Sequence, residues 1–287
     1  MASTSDKIQR KEEELRDEAE GAPPNLDADE EIKATEEEKL DSAIAHEVVR
    51  REGVKELNRS ATALTLSGVA AGLAMGLSVL TIATLHHHLP DSPWRPLVAA
   101  LGYSLGFLVV TLASQELYTE HTVRPIVPFL VTRTREMLGK VLKLWAAVFV
   151  GNLVGAAIFG WAAARTAIFT PEIRRAIRTV ALEGASHDWV AVFATAIVAG
   201  WLIALMVWML PAASSSQVTI VVIMTWLVGA ASLSHVVIGA VETFYLTALG
   251  DMSIWTAFGW HIIPAFLGNT LGGVVLVAIL NHAHVNS

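Results

Sequence analysis

Charged positions thin out after residue 60 and return only in short clusters, leaving apolar stretches near the ~20 helical residues that a hydrocarbon core requires. Residues 61–85 predict a first spanning helix, and 97–115 a second whose apolar character resumes beyond the polar cluster QELYTEH in TVRPIVPFLV. Residues 144–164 predict the third. From 189 to 241 the chain carries no Asp, Glu, Lys or Arg. That run is too long for one helix, and Pro211 followed by AASSSQ supplies a turn dividing it into a fourth and a fifth span. Residues 258–280 predict the sixth. Between the third and fourth, TPEIRRAIRTVALEGAS has mixed charges and a helical spacing of Ile and Val, predicting an amphipathic loop helix at the opposite surface. Ahead of the first span, in segment 43–60, IAHEVVRREGVKELNR sets Ile44, Val48 and Leu57 on one helical face and basic residues on the other. It predicts a helix lying along the bilayer surface.

Composition agrees with this pattern. The 287 residues are 53% hydrophobic and 16% charged, with a mean hydropathy of +0.51, which places the chain among all-α integral membrane proteins. The absence of cysteine excludes disulfides and thiolate metal sites. No phosphate loop, HExxH, nucleophile elbow or catalytic carboxylate pair occurs, so the chain does not read as an enzyme, and no cofactor, metal or nucleic-acid partner is expected. The opening MASTSDKIQRKEEEL lacks the basic-then-apolar order of a signal peptide, so the first span is expected to direct insertion.

Charge is unevenly distributed. Residues 1–42 hold 15 Asp or Glu against 6 Lys or Arg, and the remainder holds 12 against 14. The acidic segment 1–42 therefore reads as a disordered cytosolic tail that solubilises the chain, or else docks a cytosolic partner or gates the body. Arg50, Arg51, Lys55 and Arg59 before the first span, with Arg133, Arg135, Lys140 and Lys143 between the second and third, place both regions in the cytoplasm. Arg174, Arg175 and Arg178 oppose this, but they share a longer loop with Glu172 and Glu183. With six spans, both termini are expected to be cytoplasmic.

A repeat organises the spans. GNLVG at Gly151 and GNTLG at Gly268 lie 117 residues apart, and moving 116 residues on from Thr119 reaches His235. The halves, about 61–166 and 188–284 of the domain 61–287, each hold three spans. An odd number inverts one half relative to the other. Polar residues interrupt the second and fifth spans, with Glu116 in QELYTEH and with Ser232 and Ser234 in AASLSHVVIG. Breaking a helix at membrane depth frees backbone groups and is tolerated only beside protein or a water-lined cavity. His235 in the second break is either an imidazole satisfied by a neighbouring helix or a functional group. Glu116 and Glu120 flank the first break and either cap half-helix ends or influence pore charge, with capping and backbone satisfaction the expected role of Glu116.

SLGFLVVTLASQELYTEHTV, GNLVGAAIFGW, LMVWM, the break ending in His235, and GNTLGG together resemble the formate/nitrite transporter family in order and spacing over roughly residues 55–285. The acidic head looks like that of a bacterial inner-membrane branch. The resemblance implies six transmembrane helices in an aquaporin-like inverted repeat, a homopentamer in the lipid bilayer, and one path per protomer for a small monovalent anion such as formate or nitrite, or its conjugate weak acid. It implies that Tyr103 and Phe107 form an apolar constriction, that Leu117, Tyr118 and Thr119 form the loop between two half-helices, and that His235 is the central pore histidine. Apolar rings reject a bare ion through its desolvation cost, whereas a neutral acid passes. A histidine between them, with an unperturbed pKa of about 6.5, could donate a hydrogen bond or exchange a proton.

The chain also departs from the family pattern. Ser234 rather than an acidic residue precedes the histidine, and VVIG follows instead of Ser-x-x-Asn. The basic residue expected near the start of the fourth span is missing, with Arg178 and His187 the nearest substitutes, and Gly200 stands where a pore asparagine is expected. A pore for a small neutral solute, or a non-transporting receptor or scaffold, are the alternatives these departures leave. His86, His87 and His88 read as solvated loop histidines.

Overall fold

The computed structural model describes residues 46–213 and 215–279, in which no strand occurs. The acidic tail, Ile44, His282 and His284 lie outside the described residues. Among the described residues ten helical segments longer than three residues follow in order: α1 (46–57), α2 (Ala61–His88), α3 (Arg95–Leu112), α4 (Ile126–Thr132), α5 (Arg135–Arg165), α6 (Pro171–Gly184), α7 (Trp189–Ala212), α8 (Gln217–Ala230), α9 (Val236–Leu249) and α10 (Ile254–Ile279). Five of these, α2, α3, α5, α7 and α10, are long and apolar enough to cross a membrane. The apolar α8 and α9, with 14 residues each, are too short to do so singly.

Local chemistry sets where the helices start. Ser60, Thr134, Thr170, Asp188 and Ser253 each accept a hydrogen bond from the backbone N–H three residues on, satisfying a donor that the first turn leaves open. The loop helix expected from TPEIRRAIRTVALEGAS forms as α6, with Pro171 in its first turn, where a missing N–H costs nothing. The three loop histidines belong instead to the last turn of α2. On α1 the buried residues are His46, Val49, Gly53, Glu56 and Leu57, so the inward face is rotated from the one expected through Val48. The rotation brings the Glu56 carboxylate to Arg124 and lays Gly53 against the Arg124 carbonyl.

Two helix pairs carry the body, α2 with α5 and α7 with α10. Both depend on glycines that leave no room for a side chain. A Cβ on Gly72 would meet the Asn152 backbone, one on Gly155 the Val69 carbonyl, and one on Gly272 the Ile197 carbonyl. Gly200 likewise lies directly on the backbone of Asn269, so this position serves close helix approach. Each Gly-Asn-x-x-Gly unit thus brings two helices together and sets an asparagine between them.

Adding one methyl should separate packed from free glycines. Gly155→Ala should lower stability by about 1–3 kcal/mol through overpacking against backbone. Gly139→Ala, on the exposed face of α5 with nothing within 4 Å of the new carbon, should raise it by up to ~1 kcal/mol. Thermal unfolding in one detergent compares them, and equal shifts would contradict this packing.

Candidate functional site

Two breaks of the same design face one another. At the end of α3 the N–H of Gln115 donates to the Val110 carbonyl at 2.9 Å and Ser114 turns left-handed at φ 51°. At the end of α8 the N–H of Leu233 donates to the Val228 carbonyl at 2.9 Å and Ser232 adopts the same φ of 51°. One asparagine then ties down each break. Asn152 accepts from the Tyr118 N–H at 2.8 Å and donates to the carbonyls of Gly68 and Glu116, both at 2.9 Å. Asn269 accepts from the Val236 N–H at 2.9 Å and donates to the carbonyls of Ala196, at 2.8 Å, and Ser234, at 3.0 Å. Each amide uses its acceptor and both donors. The hydrogen bonds equate Glu116 with Ser234 and Tyr118 with Val236. Leu117, not Thr119, is therefore the positional counterpart of His235, and the register read from sequence shifts by two.

Thr119 meets His235 directly instead. Its Oγ1 lies 2.9 Å from His235 Nε2, while Nδ1 accepts the Ile238 N–H at 3.4 Å and so caps the start of α9. An accepting Nδ1 leaves the proton of a neutral ring on Nε2, which then donates to Thr119; this tautomer is assigned from the hydrogen bonds. The Phe107 ring packs edge-on to the imidazole with centroids 5.1 Å apart, and Tyr103 stacks on Phe107 at 5.8 Å. On the other side Leu117 and Tyr118 are fully buried. Tyr118 stacks on Phe266 at 4.9 Å, touches Phe149 at 5.2 Å and hydrogen-bonds Thr270 at 2.8 Å.

A cavity of about 470 Å³ is lined by Ser232, Ser234 and His235, by Tyr103 and Gly239, and by Glu183, Gly184 and Ser186, the last three in exposed positions. A Cβ on Gly239 would find nothing within 4 Å. Ser234 is held by Thr195, their hydroxyls 2.9 Å apart. The expected site residues therefore separate. Tyr103, Phe107, Thr119 and His235 converge with the two serines, whereas Leu117 and Tyr118 close the opposite side.

Glu116 leads elsewhere. Its carboxylate pairs with Arg59 and with His121 instead of capping a half-helix, while its backbone N–H donates to Ser67 at 3.2 Å. His121 Nδ1 lies 3.0 Å from Glu56, and Arg124 spans Glu56 at 3.2 Å and Glu120 at 3.5 Å. Burial alone would raise the Glu56 carboxyl, but His121 and Arg124 outweigh it and hold it below the usual carboxylate range. Glu56, Glu116 and His121 are close enough together to hold a cation. Arg59 and Arg124 already balance the same carboxylates, so the cluster reads as an ion-pair lock between α1 and the first break.

Sequence reasoning overlooked three features. The GNxxG asparagines were visible only as parts of a packing motif. His121 was hidden inside QELYTEH. Glu242 lines the cavity immediately beyond the uncharged run, a signal that could have marked it. The two substitutes for a vestibule cation also part: Arg178 donates to Asp251 at 2.7 Å, holding that carboxyl below its usual range, and His187 lines the cavity.

Comparison with known proteins matches residues 43–283 to the family model described as formate/nitrite transporter. The inner membrane protein YfdC of Escherichia coli (strain K12) is 36% identical over 243 residues, covering 84% of this chain and 78% of that one. The nitrite transporter NirC of the same organism is 26% identical over 221 residues, 75% and 80% of the two chains. A solved pentameric formate channel with formate bound superposes with a TM-score of 0.67 at 19% identity, covering 79% of this chain and 98% of that one. At that identity the superposition speaks for the fold.

Asn269→Ala leaves the Val236 N–H and the Ser234 carbonyl at the break without their partner, while the Ala196 carbonyl keeps its helical bond within α7. Each orphaned group costs about 1–3 kcal/mol, so the variant should melt far below the wild type. A melt within a degree or two of the wild type would mean that the asparagine is not what holds the break.

Proposed function

The chain belongs to the formate/nitrite transporter family, and from that membership we propose that it is a channel-like path for a small monovalent anion or its conjugate weak acid across a bacterial inner membrane. In this reading α8 and α9 are the halves of an interrupted fifth span, and α3 with the segment through α4 is the interrupted second. The two three-span halves are inverted, both termini are cytoplasmic, and five protomers associate through their apolar outer faces. Trp161, Trp255 and Trp260 lie on such faces, each more than half exposed.

The observation that carries the reading is the 2.9 Å contact between Thr119 and His235, which joins the two breaks between apolar closures. Phe107 and the aromatic group around Tyr118 offer an ion nothing in exchange for its hydration, so a charged carboxylate stalls there. The same weak acid in neutral form can replace the Thr119–His235 hydrogen bond with its own donor and acceptor. His235 thus acts by hydrogen bonding and transient proton exchange rather than as a fixed anion site.

A neutral-solute pore is the second reading, favoured by one observation. Glu183 and Glu242 line the cavity, and its one arginine, Arg95, lies 3.2 Å from Asp91. Such a mouth offers an anion little attraction.

Flux into proteoliposomes separates the readings. Formate or nitrite uptake that rises with external acidification supports the first, pH-independent passage of uncharged solutes the second, and no flux a receptor or scaffold role. His235→Asn should remain folded and oligomeric, keep a hydrogen-bonding group, and lose the acid-dependent component of flux. Unchanged flux and pH response in the folded variant would make His235 a structural plug. Native mass spectrometry should find pentamers, and monomers in mild detergent would count against the assembly.

A further inference from the structure

The outer cavity holds a carboxylate with no structural task. Glu242 lies seven residues beyond His235 on α9, and His235, Gly239 and Glu242 all line the cavity. The spacings of four and three put them on one helical face, spread over roughly 10 Å at 1.5 Å per residue. Among the described residues Glu242 makes no hydrogen bond and no ion pair. Its carboxylate reaches the mouth, where a Cβ on Gly184 would lie 2.6 Å from its Oε2. The ionisable groups that line the cavity around it are Glu183 at the end of α6, His187 just before α7, His261 on α10, His86 at the end of α2, and Arg95 and Tyr103 on α3. Arg95 is engaged with Asp91. The groups left to exchange protons are carboxyls and imidazoles.

A charge held in a membrane cavity without a partner is costly, and it persists where it has work to do. An ionised Glu242 repels a small anion entering from the mouth, whereas a protonated one can donate to it. Two carboxylates brought together cannot both stay charged and share a proton between them.

We propose that Glu242 is the proton-transfer residue of the vestibule, docking a small monocarboxylate anion as a hydrogen-bonded acid–anion pair and sending it on toward His235 as the neutral acid. The step rests on the weak-acid reading above. The O–H bond of Glu242 breaks, an O–H bond forms on a carboxylate oxygen of the cargo, and Glu242 is left ionised. Water at the mouth, beside His187 and His261, returns a proton from the outer solution. Net movement is one proton with one anion, so no charge crosses Phe107. Gly239 leaves open the stretch between the two groups.

The test uses the full chain in proteoliposomes with formate as the probe. Glu242→Gln keeps shape and hydrogen bonding but cannot titrate. It should assemble normally, slow acid-stimulated uptake by roughly tenfold or more, in line with the loss of a positioned proton donor, and flatten the pH profile. Glu242→Asp should restore the acid response. If Glu242→Gln does not assemble, Glu242→His decides, because an imidazole and a carboxyl held in the same cavity titrate in different ranges and the uptake midpoint should move. Three results overturn the proposal: a wild-type rate and pH profile in Glu242→Gln, faster formate uptake in that variant, or an unmoved midpoint in Glu242→His. In each of these the weak-acid function itself survives, because the wild type still carries formate. Absence of formate uptake by the wild type at any pH removes both readings together.

Discussion

A helix interrupted in hydrocarbon must have every freed N–H and C=O satisfied from within the protein, and the rest of this structure depends on how that demand is met. Asn152 and Asn269 each supply one acceptor and two donors to three backbone groups. Neither amide can reach its break unless its helix lies almost against its neighbour. The glycines that flank the two asparagines make that approach possible, and the helix pairing and the break are one device built twice.

With the backbone secured, side chains at the breaks are free for other work. His235 caps α9 with one ring nitrogen and meets Thr119 with the other, so a single side chain stabilises the second break and connects it to the first. Phe107 fixes the ring from the side. The imidazole is therefore placed by its own helix and by two side chains more than a hundred residues earlier in the chain, a placement suited to a group whose orientation matters.

The two ends of the path differ in how they treat charge. On the α1 side, Arg59 and Arg124 neutralise Glu56, Glu116 and Glu120 around His121, and the resulting network fastens a surface helix to the first break. Such a network resists rearrangement because removing one member leaves others buried and unpaired. On the cavity side, Glu242 has no partner among the described residues, and a Cβ on Gly239 would meet nothing within 4 Å. One end is locked by paired charges, and the other is open.

Much of this architecture is legible along the chain. Apolar run length located the five helices long and apolar enough to cross a membrane, Pro211 with AASSSQ located the turn between α7 and α8, and the polar interruptions located both breaks, because helix length and backbone satisfaction are local demands. The recurrence of Gly-Asn-x-x-Gly marked the repeat, though not the work of its asparagine. Tertiary structure decided the rest. Thr119 was legible as a break residue, but its contact with His235 depends on how two halves meet, and the register of 118 rather than 116 follows from hydrogen bonds. Glu116 read chiefly as a cap until Arg59 and His121 came within reach, and Arg178 stood beside His187 as a substitute for a vestibule cation until Asp251 claimed it. Pattern along a chain reports which groups must be buried or broken. It does not report which partner each finds, because the partners lie up to a hundred or more residues away and are chosen by packing.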